Sequence, residues 1–304
     1  MRHGKYRFIV SFLALPVAIY LVFVIWPYVQ AIGLSLTDWS GLTPTQNFVG
    51  LANYVRLVQD PLFWISLWHN IILLIVLPLV TLALGLFFAF MINVGGKKRK
   101  NVTIAGVRGS KFYQVVYFFP QVLSITVIAV LWQFIYNPNS GALNSALRAV
   151  GLDANIGWLS DSRLALTSII VVMVWWQVGF YVVLFSAGMS AIPSDIYEAV
   201  LIDGANRFTT FFRITFPLMW DTIQTGWVYL GIVAMDGFAI VQIMTVGPGG
   251  PDNSTTVVPF YLWDSAFNHG QAAYGTAMGV AMLIVTLLFA VLTLRFSRRE
   301  RIEF

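Results

Sequence analysis

Apolar stretches of about 20 residues or more recur along the whole chain, and a helix of that length, rising ~1.5 Å per residue, crosses a bilayer. Uncharged runs fall at about 8–35, 66–93, 113–136, 164–189, 222–246 and 272–294. This pattern predicts six membrane-spanning helices. Hydrocarbon offers no partner to backbone N–H and C=O groups, so a spanning segment is a helix or part of a closed barrel, and the ~10-residue alternating strands of a barrel are missing here. The first run is too long for a signal-peptide core and no small-residue cleavage pattern follows it, so it is expected to stay in the mature protein, kinked at Pro16 and Pro27. Composition agrees: 58% of residues are apolar and 10% charged, with a mean hydropathy of +0.78, where a soluble domain carries about 25% charge. A water-soluble globule is excluded, and a single transmembrane domain over residues 1–304 fits better than two soluble ones.

The net charge of +5 does not point to nucleic acid, because the basic residues are dispersed between apolar runs instead of sharing one soluble face. They set topology. Segments on one side carry Arg2, Lys5 and Arg7; Lys97, Lys98, Arg99, Lys100, Arg108 and Lys111; Arg207 and Arg213; and Arg295, Arg298, Arg299 and Arg301. The other side holds Arg56, Arg148 and Arg163. Lys and Arg flanking the spans are retained in the cytoplasm, so both termini are predicted there, as an even number of spans requires. The run at 97–100 is expected to meet anionic lipid headgroups. Outside, 37–64 and 137–161 are rich in turn formers, and Gly247, Pro248, Gly249, Gly250 and Pro251 form a tight turn after the fifth run.

Several chemistries are missing from the sequence. There is no cysteine, no GxxxxGK[ST] phosphate loop and no GxSxG elbow. His3, His69 and His269 lie far apart and in no ligand spacing, so no metal site is expected. Asn101 and Asn253 begin N-x-[ST] triplets, which arise often by chance and are given no role.

The segment over about 193–217, between the fourth and fifth runs, reads as helix, turn, helix. Ser194 is a good N-cap with Asp195 in the first turn, Gly204 suits the left-handed residue that ends a helix, and a second short helix runs toward Pro217. Ile196, Ala199, Val200 and Ile202 make an apolar surface that has to bury against something, either lipid, as an interfacial hairpin, or another protein. Glu198-Ala199, Asp203-Gly204-Ala205, Phe211, Ile214 and Pro217 resemble the EAA motif of ATP-binding-cassette importer permeases, with Val200 where that family commonly has a third alanine. In that family the segment is a coupling helix that fits a groove on the ATPase. The resemblance therefore implies coupling roles for Glu198, Ala199, Asp203, Gly204 and Ala205.

The likeness extends over nearly the whole chain. Phe23-Val24-Ile25-Trp26-Pro27 through Ser35-Leu36-Thr37-Asp38-Trp39, then Phe48-Val49-Gly50-Leu51 with Asn53-Tyr54, and Asp60-Pro61 with Phe63 resemble the first span and outer segment of carbohydrate-uptake permeases. Thr245 with Gly249-Gly250-Pro251 and Ser254-Thr255 is similar to their T-x-G-G-P-x-x-x-T turn, with extra residues inserted. The maltose-type and glycerol-phosphate-type resemblance implies an all-α, six-span permease subunit of the bacterial cytoplasmic membrane. Its partners would be a second homologous permease, two ATP-binding cassette subunits and an extracytoplasmic solute-binding protein. Such a chain is not an enzyme and holds no cofactor, since ATP and Mg sit on the partner ATPase.

A sugar presents hydroxyls and two apolar faces, so its path combines hydrogen-bonding groups with aromatic rings. The fourth run offers Trp175, Gln177, Gly179 and Tyr181; Gln177 and Tyr181 share a face, and Gly179 permits close approach. In the maltose-type resemblance, sugar contacts lie on the span before the EAA segment, around the position matching Gly179. Helix packing is the competing role for each of these residues. Asp236 stands near mid-membrane in the fifth run and has three outlets: substrate hydroxyls, a basic group across a subunit interface, or protonation. A stand-alone secondary transporter is the alternative, but it would need a coupling-ion site and paired broken helices, which the runs do not offer.

Overall fold

A computed structural model of the chain describes residues 2–94, 107, 109–152, 155–245 and 247–296. Lys97, Lys98, Arg99, Lys100, Arg108, the triplet at Asn101, and Arg298, Arg299 and Arg301 lie outside the described residues. The fold is helical. In chain order, α1 (Arg2–Tyr20) passes through a π turn (Leu21–Ile25) into α2 (Trp26–Ser35), followed by α3 (Ala52–Gln59), α4 (Pro61–Val94), α5 (Ser110–Val122), α6 (Ile125–Ile135), α7 (Ala142–Ala149) and α8 (Ala165–Ala191). Then come α9 (Ser194–Ile202), α10 (Arg207–Thr210), a second π turn (Phe211–Thr215), α11 (Phe216–Leu218), α12 (Trp220–Met235) and α13 (Phe238–Met244). A short 3₁₀ turn (Pro251–Asn253), α14 (Val258–Trp263), a third π turn (Asp264–Asn268) and α15 (Ala272–Phe296) complete the described chain. The described residues form no strand, only one isolated antiparallel bridge between Thr37 and Phe48.

Among the described residues, four helices are long and apolar enough to cross a membrane: Ile9–Ser35, Pro61–Asn93, Ala165–Ala191 and Ala272–Thr293. Two more crossings exist if each bent pair counts as one: α5 with α6, bent by 96°, and α12 with α13, bent by 49°. The third and fifth runs are therefore broken, which corrects the expectation that paired broken helices are missing. In the third, Pro120 lies in the last turn of α5, and Leu123 and Ser124 are extended; the Ser124 hydroxyl then accepts from the Val127 N–H to cap α6. In the fifth, Asp236 and Gly237 leave helical geometry, and the Phe238 N–H donates to the Asp236 carbonyl at 2.7 Å.

Two of the π turns share a cause. Trp26 and Phe216 each donate to a carbonyl five residues back, Leu21 and Phe211, and each is followed by a proline, Pro27 and Pro217. A proline ring crowds the carbonyl four residues before it, and a widened turn relieves that contact. Pro16, by contrast, sits inside an unbroken α1, so the disturbance expected there is confined to the turn before Pro27.

The chain divides into two compact units. The first combines residues 1–64 and 258–285. Every residue from 9 to 30 is exposed, a state that costs an apolar helix little in lipid, whose tails are as apolar as leucine. The α2 end is tied off by Asn53, whose amide donates to the Ser35 and Thr37 carbonyls at 2.9 and 2.8 Å. Tyr54 shares a 2.7 Å hydrogen bond with the Ser35 hydroxyl, and Asp38 accepts from the Asn47 backbone and amide at 2.8 and 2.9 Å. Asp60 caps α4 through the Leu62 N–H (2.9 Å) and also accepts from Tyr261 (2.6 Å) and Tyr274 (2.5 Å). Arg56 lies 4.0 Å over the Tyr274 ring and donates to Gln271 at 2.8 Å.

The second unit combines residues 65–257 and 286–304. Its centre is α8, with 67% of its apolar window buried. Small residues let its neighbours approach. A Cβ on Gly85 of α4 would lie 2.8 Å from that of Tyr181, and one on Gly226 of α12 would lie 2.9 Å from the Tyr181 ring. At Gly179 the Tyr117 carbonyl of α5 occupies the space a Cβ would need. The turn at 247–256 is braced by the Thr255 and Thr256 hydroxyls, which donate to the Gly249 carbonyl at 2.8 and 3.2 Å, and by His69, whose Nδ1 is 2.8 Å from the Thr256 carbonyl.

Burial raises the Asp60 carboxyl, but the hydrogen bonds from Tyr261, Tyr274 and the Leu62 and Phe63 N–H groups outweigh it and hold the group below its ordinary value. A carboxyl lowered on folding contributes stability above its unfolded value, about 3.9, and that stability is lost as pH falls through the folded value. Thermal melts at decreasing pH are therefore expected to fall less steeply for Asp60→Asn than for the wild type below about pH 4. Parallel curves would show that Asp60 contributes nothing to acid sensitivity.

Candidate functional site

The hairpin between α8 and α12 takes the form anticipated. Gly204 has φ +71°, and the Ala205 N–H donates to the Val200 carbonyl at 3.2 Å, the six-to-one bond of a Schellman-type end, just after the helical bond from the Asp203 N–H to the Ala199 carbonyl at 3.0 Å. Asn206 then caps the second arm, its side-chain oxygen accepting from the Thr209 N–H at 2.8 Å. Glu198, Ala199, Asp203 and Gly204 are exposed, and Ala205 is half-buried.

The apolar surface is distributed differently from the sequence expectation. Tyr197 and Ile192 enter the interior, whereas Ile202 is 85% exposed. The Tyr197 and Thr215 hydroxyls are 3.3 Å apart and join the two arms, and Phe211 packs edge-on against Phe90 of α4. Phe208 and Phe212 pair at 4.5 Å while remaining 73% and 50% exposed. Ile202, Phe208 and Phe212 thus form an apolar outer surface on a segment that also carries Glu198 and Asp203. Sequence reasoning missed Phe208 and Phe212; their i, i+4 spacing on the second arm was the available signal.

On α8, Gln177, Gly179 and Tyr181 are buried, and Trp175 is 38% exposed. Gly179 provides the close approach expected of it, to the Tyr117 carbonyl, and Tyr181 is packed between Gly85 and Gly226. Gln177 differs from its neighbours. Its Oε1 is buried with no hydrogen-bond partner among the described residues, as are Nε1 of Trp176 and Trp132 and Oε1 of Gln121. These four atoms belong to α5, α6 and α8, of which α8 packs against both of the others, and Trp132 meets Trp175 edge-on at 5.4 Å. Buried polar atoms nearly always find partners, so these four stand out.

A second polar feature runs along α12. Asp221, Thr225, Tyr229, Ile232 and Asp236 are all exposed, at spacings of four, four, three and four that place them on one face. Phe180 of α8 lies beside Tyr229, ring centres 6.2 Å apart. Asp236 stands at the joint with α13, so the face of α12 ends there and is not continued by α13. A polar face opened to hydrocarbon is costly, so this stripe lines water or meets another chain. Asp221 and Thr225 were missed, although their spacing within an apolar run could have revealed them.

Comparison with known proteins places these features in context. A family model described as a binding-protein-dependent transport system inner membrane component matches residues 103–302. The diacetylchitobiose uptake system permease protein NgcF of Streptomyces coelicolor is 43% identical over 296 residues, covering 97% of this chain and 83% of that protein. Among solved structures, a bacterial ABC transporter involved in the import of the acidic polysaccharide alginate superposes with a TM-score of 0.81 at 23% identity over 98% of each chain. A bacterial alginate ABC transporter in complex with an alginate pentasaccharide-bound periplasmic protein gives 0.80 at 21% identity over 99% of this chain and 97% of that one.

Gly179→Ala is expected to force α5 away from α8 and to destabilise the chain by roughly 1–3 kcal/mol, the usual cost of overpacking. A lowered melting temperature in detergent would show it. Gly33→Ala, where nothing lies within 4 Å of an added Cβ, serves as the control and is expected to leave the melt unchanged or slightly raised.

Proposed function

Because the chain belongs to the family of inner-membrane components of binding-protein-dependent transport systems, we propose that it forms half of the translocation path of a sugar or oligosaccharide importer and transmits ATP-driven motion from a cassette subunit. It is a multi-pass permease subunit, and hydrolysis belongs to the partner ATPase. Family membership sets aside the stand-alone secondary transporter, even though the two broken crossings supply one feature such a transporter would need.

The observation that carries this reading is the exposed apolar surface of Ile202, Phe208 and Phe212 on a rigidly capped hairpin. A docking element requires a fixed shape and an uncovered apolar surface, and the residues of the EAA resemblance lie beside it, Glu198 and Ala199 on α9 and Asp203, Gly204 and Ala205 in the turn that follows. With six crossings, both termini and this hairpin share the cytoplasmic side, which fifteen of the 18 basic residues favour. The remaining partners are a second homologous permease, a second cassette and the extracytoplasmic binding protein, and the whole chain acts as one permease domain. Two relatives act on saccharides: diacetylchitobiose for the Streptomyces protein, alginate for the structural neighbours. The unpartnered atoms of Gln177 and Trp176, next in sequence to Trp175, and Asp236 on the stripe of α12 are the groups assigned to the solute path, with Gly179 and Tyr181 holding the same helix against its neighbours.

ATPase that co-purifies with the wild-type chain is expected to be lost from Phe208→Ser and Ile202→Asp, since removing a central docking side chain costs about 2 kcal/mol, on the order of thirtyfold in affinity. Both positions are exposed, so the chain should still fold. Undiminished ATPase recovery would sink the docking assignment. Separately, Asp236→Asn is expected to reduce solute uptake in reconstituted vesicles while ATPase recovery stays intact; normal uptake with unchanged solute preference would remove Asp236 from the path.

A further inference from the structure

A cavity of about 540 Å³ lies in the second unit, walled by α4, α11, α12 and the last turns of α15. Its size falls within the ~300–1,000 Å³ of small-molecule sites. Leu79, Ala83, Leu86, Trp220, Trp227 and Leu292 give it an almost wholly apolar lining. It is not sealed: Leu79 and Leu292 are 57% and 51% exposed, and Ala83 is exposed as well. They continue into Phe87 on α4 and Leu288 and Val291 on α15, exposed apolar faces suited to hydrocarbon. The mouth therefore opens where acyl chains are the surrounding solvent. Two exposed cations lie close in sequence to its lining. Arg213, in the π turn before Phe216, and Arg295, three residues beyond Leu292, are both exposed.

We propose that this cavity binds one acyl chain of an anionic phospholipid of the cytoplasmic leaflet, with the headgroup phosphate met by Arg295 and Arg213. The depth rests on the orientation proposed above, in which the C-terminal end of α15 is cytoplasmic; the apolar lining and open mouth do not depend on it. Cationic side chains within three residues of the lining of an apolar cleft match a ligand with an anionic head and a hydrocarbon tail, and Trp220 and Trp227 are of the residue type enriched at the membrane–water boundary. The walls include α11 and α12, which follow directly from the hairpin, so a chain lodged there would bias the arrangement of helices that the hairpin moves.

The test uses the assembled complex in nanodiscs of phosphatidylcholine containing a phosphatidylglycerol probe with a diazirine in its acyl chain. Photolysis is expected to label peptides containing residues 79–86 and 220–227. Ala83→Phe, which fills the cavity from an exposed position, should lower that labelling on the order of tenfold. Arg295→Gln should lower it about fivefold for phosphatidylglycerol and leave a diazirine-phosphatidylcholine probe unaffected, as for the loss of one basic side chain beside an anionic headgroup. Equal labelling of Ala83→Phe and wild type, labelling confined to other peptides, or a benzoylphenylalanine at Leu79 crosslinking to the second permease subunit in place of lipid would each overturn the proposal. ATPase recovery is scored in parallel: a complex that takes the label at these peptides but recruits no ATPase would leave the cavity assignment standing and sink the importer reading instead.

Discussion

The second unit depends on helices approaching α8 more closely than ordinary side chains permit. In a bilayer, apolar surface gains nothing by leaving lipid for protein, so association has to come from contact and hydrogen bonding. Gly85, Gly179 and Gly226 supply that contact at three neighbouring helices, and Tyr181 fills the space left between two of them. The buried face of α8 is consequently committed to packing, which is why Gln177, with an unpartnered oxygen in that interior, stands apart from its neighbours. The segment between α2 and α4 in the first unit is held in the opposite manner, by directional polar bonds through Asn53, Asp38 and Asp60.

Several contacts join the hairpin to itself and to the rest. Tyr197 to Thr215 closes its two arms, Phe211 to Phe90 rests it on α4, and the chain then enters α12 without a loop. Under the proposed reading, a cassette that moves the hairpin moves the start of α12 with it, and the polar face of that helix follows. The exposed Ile202, Phe208 and Phe212 are then covered in the assembly, and the exposed α1 and α2 face lipid or a second subunit. Differential contacts of this kind in two cassette states are what alternating access requires.

Much of this was legible in the chain. Long apolar runs locate helices reliably because the lack of water in hydrocarbon leaves the backbone one economical solution, and the hairpin was marked by Ser194, Gly204 and Pro217, whose conformational preferences are local. The motif stretches near the start are now accounted for physically: Asn53 ties off α2, Tyr54 bonds to Ser35, and Asp60 caps α4 while holding two tyrosines. The breaks were not legible. Pro120 signals a possible interruption, but Pro16 and Pro78 are carried inside helices, so the same residue type gives different outcomes according to whether a neighbour such as Ser124 can cap the next segment. The partition of the hairpin was also hidden. Nothing local distinguishes Tyr197, which turns inward, from Ile202, which turns outward; that choice is made by Thr215 and by packing distant in sequence.

The widened turn at Phe211–Thr215 governs more than its own five residues. A π turn accommodates one residue beyond what an α turn would hold, and each residue corresponds to about 100° of azimuth. The compass bearing of Asp221, Thr225, Tyr229 and Asp236 is thus offset by that bulge: tight winding with every residue kept would swing the whole row about a quarter-circle away from its present heading, whereas deleting one residue there would absorb the bulge and leave that heading nearly as it is.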